Sequence, residues 1–157
     1  MNEDENVRKA RVFLLRYLAY RARTGKEAFA YLERKGFGEK IIYKAIQEMQ
    51  EYGYLDDERY TKDFISYRKA RNFGTRRIRH ELLAKGIDRG KVDSAINKEQ
   101  DEGEEEATIR TLLARRVPAD NIFDQRWINR QASFLQRRGF RDHLIISVLK
   151  DYGFGDP

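Results

Sequence analysis

Between Arg68 and Lys91 stand nine basic residues: Arg68, Lys69, Arg71, Arg76, Arg77, Arg79, Lys85, Arg89 and Lys91. Only Glu81 and Asp88 oppose them, so this window carries +7, more than the +6 of the whole 157-residue chain. Guanidinium and ammonium groups at this density suit anions, either phosphates or carboxylates of another protein, and the competing reading is an ordinary solvated surface. The hydrophobic pattern puts Arg76, Arg77 and Arg79 in the first turn of a helix, where positive charge opposes the helix dipole at about 0.3–1 kcal/mol each. A solvated helix gains nothing from that arrangement, which points to an anionic partner. Most aromatic residues recur at helical spacing and read as core, the better reading for Phe73 as well. Its place in the basic turn before Gly74 would also let it stack on a base or a partner. The candidate binding set is Arg68, Lys69, Arg71, Phe73, Arg76, Arg77, Arg79, Lys85 and Arg89.

The other groups that could do chemistry lack the company they need. Asp56-Asp57-Glu58 resembles a metal-binding carboxylate run, but three adjacent acids on a helix point in different directions, and acids at a helix start cap free N–H groups and favour the dipole. His80 and His143 have no HxxxH partner and no nucleophile signature nearby. With no Cys there is no disulfide and no thiolate metal site. The glycines read as helix stops, not as a phosphate loop. The acids from Asp101 to Glu106 suit a solvated linker or a helix start, or a partner for basic groups. No catalytic residue, metal or cofactor is expected, and a protein that acts by binding is.

The elements that position the basic cluster are helices. Helix formers dominate, period-2 alternation of β-branched residues is absent, and only two prolines occur. Val7, Ala10, Leu14, Tyr17 and Leu18 define a first helical face. Thr24 and Glu27 form a capping box that opens a second helix, stopped at Lys35-Gly36-Phe37. A third buries Ile41, Ile42, Ala45, Ile46 and Met49. Asp56-Asp57-Glu58 starts a fourth, with an expected aromatic face of Tyr60, Phe64 and Tyr67, broken at Asn72-Phe73-Gly74-Thr75.

A repeat organises these helices. Leu-x-x-basic-Gly-apolar occurs at Leu32 to Phe37, Leu82 to Ile87 and Leu135 to Phe140, with glycines 50 and 53 residues apart. Apolar pairs follow each glycine at matching offsets, Ala45-Ile46, Ala95-Ile96 and Val148-Leu149. A period near 50 with three helices per unit implies an all-α chain of three tandem three-helix repeats, residues 1–54, 55–100 (basic) and 101–157. Such units bury their faces by stacking, so an elongated, curved array is expected. The acidic, apolar-poor N-terminus and the short apolar runs suggest no signal peptide and no membrane span. A cytoplasmic location and a monomeric state are expected.

The second repeat carries a family resemblance. Gly53-Tyr54-Leu55-Asp56-Asp57-Glu58-Arg59-Tyr60, Phe73-Gly74-Thr75-Arg76-Arg77-Ile78-Arg79-His80-Glu81-Leu82 and Lys85-Gly86-Ile87-Asp88 are similar to the signature of the RecX family, bacterial regulators of the RecA recombinase. Leu15-Arg16-Tyr17-Leu18, Lys35-Gly36-Phe37 and Arg137-Arg138-Gly139-Phe140 extend the likeness over about residues 7–154. The resemblance implies tandem three-helix repeats, a cytoplasmic protein without cofactor, and binding along the groove of the RecA–DNA filament. It further implies that the protein limits the filament's ATPase, strand exchange and growth in DNA repair, recombination and the SOS response. Some members also contact DNA, which makes single-stranded DNA within the filament a candidate second partner. The competing reading is a DNA-binding protein with helix-turn-helix-like modules that acts without recombinase.

Overall fold

The computed structural model describes residues 2–155. The described residues form nine α-helices in chain order and contain no strand: α1 (Glu3–Tyr20), α2 (Gly25–Arg34), α3 (Glu39–Glu51), α4 (Asp57–Ala70), α5 (Thr75–Ala84), α6 (Arg89–Glu99), α7 (Glu102–Ala114), α8 (Gln125–Arg137) and α9 (Asp142–Leu149), closed by a 3-10 turn at Lys150–Tyr152. Two compact units result. One runs to Phe64 and includes Leu82–Val92; the other comprises Ile65–Glu81 and the residues from Asp93 on.

In the first unit α1, α2 and α3 close over Val7, Ala10, Leu14, Ala28, Leu32, Ile42, Ala45, Ile46, Met49 and Leu55. Tyr17, Leu18 and Ile41, expected on the buried faces, are half-buried rims, and Tyr17 stacks on Tyr31 at 4.0 Å. In the second unit α7, α8 and α9 bury Ile109, Leu113, Trp127, Leu135, Phe140 and Leu149 among others. The Trp127 indole N–H donates to the Arg116 carbonyl at 3.1 Å, so the polar edge of the largest core side chain is satisfied. Leu32, Leu82 and Leu135, equivalent in the repeat, are all fully buried.

The helix ends follow the local chemistry. Thr24 accepts from the Glu27 amide at 3.1 Å, and the reciprocal bond completes the capping box. Gly36, Gly86 and Gly139 hold φ of 91°, 85° and 91°, the left-handed stop that lacks a steric cost only in glycine.

Two expectations need correction. The buried face of α4 is Thr61 and Ile65, not the aromatics; Tyr67 is 53% exposed, and Tyr60 and Phe64 stack on each other half-buried. Ile65 is the one aliphatic residue of α4 apart from Ala70, and it fills the core position with no polar atom to satisfy, whereas burying Tyr60 or Tyr67 would also bury a hydroxyl. Gly74 is not the residue that stops α4 in a left-handed conformation. Asn72 takes that place, with φ 64°, as asparagine can because its short amide bonds locally.

Gly74 has a different reason to be glycine. A Cβ there would lie 2.3 Å from the Gly139 carbonyl carbon and 2.4 Å from Phe140 N. Its amide donates to the Arg138 carbonyl at 2.7 Å, and the Arg76 amide donates to the Gly139 carbonyl at 2.9 Å. The start of α5 is thus set head-on against the end of α8. In the first unit the same joint recurs: Thr24 Oγ1 at the start of α2 donates to the Lys85 carbonyl at the end of α5 (3.1 Å), and the Lys26 side chain fills the space over Gly86. Each joint sets the positive end of one helix dipole against the negative end of another and gives orphan amides or hydroxyls to orphan carbonyls.

Candidate functional site

The joint between α5 and α8 gives one of the basic residues an internal partner. Arg77 Nη1 donates to the Arg137 carbonyl in the last turn of α8 at 3.3 Å. The Arg77 side chain, which opposes the dipole of its own helix, therefore sits at the C-terminal end of another, where positive charge is favoured. For Arg77 this internal partner offsets the dipole cost. Arg79 also lies one residue past the first turn of α5.

Phe73 is half-buried at the centre of the second unit's basic cluster. The guanidiniums of Arg68, Arg138 and Arg77 lie over its ring at 3.8, 4.3 and 4.4 Å from the centroid. Glu81 Oε1 serves two of them, accepting from Arg68 at 2.7 Å and from Arg77 at 3.0 Å. Arg138 has carbonyl partners instead, Asn72 at 2.9 Å and Arg71 at 2.7 Å. Burial, and then the adjacent Arg77 and Arg68, push the Arg138 pKa down from the ordinary arginine value.

Beside this stack an open cleft of about 800 Å³ is lined by Arg76, Arg77, Arg79, His80, Gln136, Arg137 and Asp142. Two carboxylates far away in sequence reach its arginines: Asp142 lies 3.3 Å from Arg76, and Asp93 2.7 Å from Arg79. The Asp93 hydrogen bond and charge raise the Arg79 pKa. Six guanidiniums (Arg68, Arg76, Arg77, Arg79, Arg137 and Arg138) face three carboxylates (Glu81, Asp93 and Asp142), which leaves a positive excess. The ion pairs at the rim are 38–60% exposed on their side chains and open to exchange with other anions.

The remaining candidates have separate surroundings. The half-buried Lys69 ammonium donates to the Glu99 carbonyl, and the exposed Arg71 lies 4.6 Å over Tyr67. Lys85 and Arg89 belong to the first unit; Lys85 sits 5.6 Å over Phe64, and Arg89 is exposed at the start of α6. Arg137, Arg138, Asp93 and Asp142 were missed as site residues. The doubled arginine ahead of Gly139 was a signal for the first two, because it stands where the other repeats carry Arg34-Lys35 and Ala84-Lys85.

Asp56 and Asp57 cap two different helices. Asp56 accepts from the Arg59 amide in its own helix at 3.1 Å, and Asp57 accepts from the Gly25 amide of α2 at 2.9 Å. No group of metal-ligating side chains occurs among the described residues. Asp101 caps α7, and the buried Glu105 meets Arg141 at 2.6 Å.

Residues 10–49 match the family model for the first three-helix domain of RecX, and residues 56–96 match that for its second three-helix domain. The chain belongs to the RecX family. A RecX relative from Halorhodospira halophila is 36% identical over 126 residues, which cover 80% of this chain and 77% of that one. Another, from Pseudomonas entomophila, is 31% identical over 132 residues, 84% of each chain. Both carry the name regulatory protein RecX. The fold is that of the crystal structure of RecX from Lactobacillus salivarius, with a TM-score of 0.83 at 21% identity over 95% of this chain and 97% of that one. A second RecX crystal structure gives 0.76 at 20% identity, over 95% and 73%. No helix among the described residues is long and apolar enough to cross a membrane.

Proposed function

We propose that the chain regulates a RecA-type recombinase by binding its filament on DNA, mainly as an inhibitor of ATP hydrolysis, strand exchange and filament growth. The observation that carries the reading is the basic cleft with its guanidinium excess, in a chain that belongs to the RecX family. Such a filament exposes phosphates and acidic protein surface together, and both suit the cleft. Tandem modules let several weak contacts act at once. A regulator of this kind needs no catalytic group, because tighter binding to one filament state than to another is enough to shift the balance between them.

The test adds the protein to preformed recombinase filaments on single-stranded DNA and follows ATP hydrolysis, with naked DNA as the control. Hydrolysis is expected to slow at or below stoichiometric amounts, and a variant with Arg76→Ala and Arg79→Ala to slow it less. Added salt is expected to weaken the effect, since every charge contact is screened. Wild-type protein that binds naked DNA as tightly as the filament, with hydrolysis unchanged, would transfer the reading to a DNA-binding protein that works without recombinase.

A further inference from the structure

The repeat gives the chain three equivalent helix ends: Lys35-Gly36-Phe37, Lys85-Gly86-Ile87 and Arg138-Gly139-Phe140. All three glycines hold the same left-handed conformation. Two of the ends are covered by the first turn of another helix. A Cβ on Gly86 would meet Lys26 at 2.1 Å, and one on Gly139 would meet Arg77 at 2.3 Å. A Cβ on Gly36 would meet nothing within 4 Å. The apolar residue after each glycine shows the same difference. Ile87 is 3% exposed and Phe140 1%, whereas Phe37 is only half-buried. Among the described residues, no hydrogen bond reaches the carbonyls of Arg34, Lys35 or Gly36, whereas four of the six corresponding carbonyls, those of Lys85, Arg137, Arg138 and Gly139, accept one.

We infer that the end of α2, from Arg34 to Phe37, is a docking socket for the N-terminal turn of a helix on a partner protein. The two filled sockets define the chemistry of the occupant. Each receives a helix with a neutral, small or hydroxyl residue at the N-cap position (Thr24, Gly74) and basic residues within its first three positions (Lys26, or Arg76 with Arg77). In α5 the first turn carries no acid at all, against the ordinary preference, and in α2 Lys26 stands beside the capping-box Glu27. The basic residues are explained by the carbonyls and negative dipole end that the turn must meet. The start of α8, the remaining second helix of a repeat, does not fit. It carries Arg126 at the position of Lys26, but its N-cap is an acid, Asp124, in place of Thr24 or Gly74, and a carboxylate at the N-cap is repelled by the socket's carbonyls, so a second copy of the chain is a poor occupant.

The test rests on the proposed recombinase reading, because the probe is the recombinase filament on single-stranded DNA. Gly36→Asn in the full chain adds a side chain in the socket at φ 91°, in the left-handed region that asparagine also enters at Asn72 (64°) and Asn121 (56°) in this protein, and a thermal melt verifies that the fold holds. Gly53→Asn is the control, at another left-handed glycine with open space around it. The expected result is at least a fivefold loss of filament affinity for Gly36→Asn, with Gly53→Asn equal to wild type. Filament binding by wild type that Gly36→Asn leaves unchanged overturns the socket and spares the recombinase reading. Failure of wild type to bind filaments overturns both. A wild-type dimer in sedimentation that Gly36→Asn converts to monomer assigns the socket to a second copy and overturns the partner assignment.

Discussion

Gly74 lies so close to Gly139 that the backbone at the end of α8 occupies the space a Cβ on Gly74 would need, 2.3 Å from the Gly139 carbonyl carbon. Neither strand of backbone can yield, because the Gly74 and Arg76 amides are bonded to the carbonyls they approach. Gly74→Ala should therefore destabilise the protein by about 1–3 kcal/mol, the range for overpacking a filled site. A denaturant melt of the full chain measures it, and a neutral substitution would show that the joint opens without cost.

Gly86 and Gly36 form a matched pair for a second test. Both hold positive φ, but only Gly86 has a side chain, that of Lys26, against it. Valine at either position should cost roughly 1 kcal/mol or more for the backbone conformation. Gly86→Val should lower the melting temperature further than Gly36→Val by the added cost of displacing Lys26. Equal shifts would mean that the α2–α5 joint contributes nothing.

Asp57 caps a helix that is not its own. Asp57→Ala should cost about 0.5–2 kcal/mol, the usual value of an N-cap. Hydrogen exchange gives the sharper readout: the Gly25 amide, donor to Asp57 at 2.9 Å, should exchange faster in Asp57→Ala and unchanged in Asp56→Ala.

Much of this architecture was legible in the sequence, for a reason that also explains what was not. The capping box at Thr24 and Glu27, the stops at Gly36, Gly86 and Gly139 and the buried leucines of the repeat depend on residues within a few positions of each other. The role of Gly74 depends on Gly139, and the charge balance of the cleft depends on Asp93 and Asp142, brought in from other helices. Local charge counting therefore gave Arg76, Arg77 and Arg79 too few opposing groups. The aromatic face expected for α4 follows from Tyr60, Phe64 and Tyr67 supplying most of its large apolar side chains, while a single aliphatic, Ile65, together with Thr61 one turn earlier, takes the core position.

The stack on Phe73 should act as a unit. Phe73→Leu keeps apolar volume but removes the ring face from three guanidiniums, each contact being worth about 0.5–1 kcal/mol at exposed sites. The loss should be non-additive with Arg138→Ala in a double-mutant cycle, since Arg68, Arg77 and Arg138 share the one ring. Strict additivity would mean that the ring and Arg138 contribute independently.

Arg76 and Arg77, adjacent in sequence, should separate in behaviour. Arg76 contributes an exposed ion pair, so Arg76→Ala should change stability by about 0.5 kcal/mol or less. Arg77 bonds Glu81, covers Phe73 and donates to the Arg137 carbonyl, so Arg77→Ala should cost more. Parallel urea melts of the two variants decide the point.

The double duty of Arg77 makes the cleft and the helix joint a shared mechanical element. An anion that drew the Arg77 guanidinium outward would take a donor from the last turn of α8 and so loosen or re-aim the junction. Occupancy would then be legible as a change in the stiffness between α5 and α8, and the ionic strength that weakens binding would soften the unoccupied junction as well.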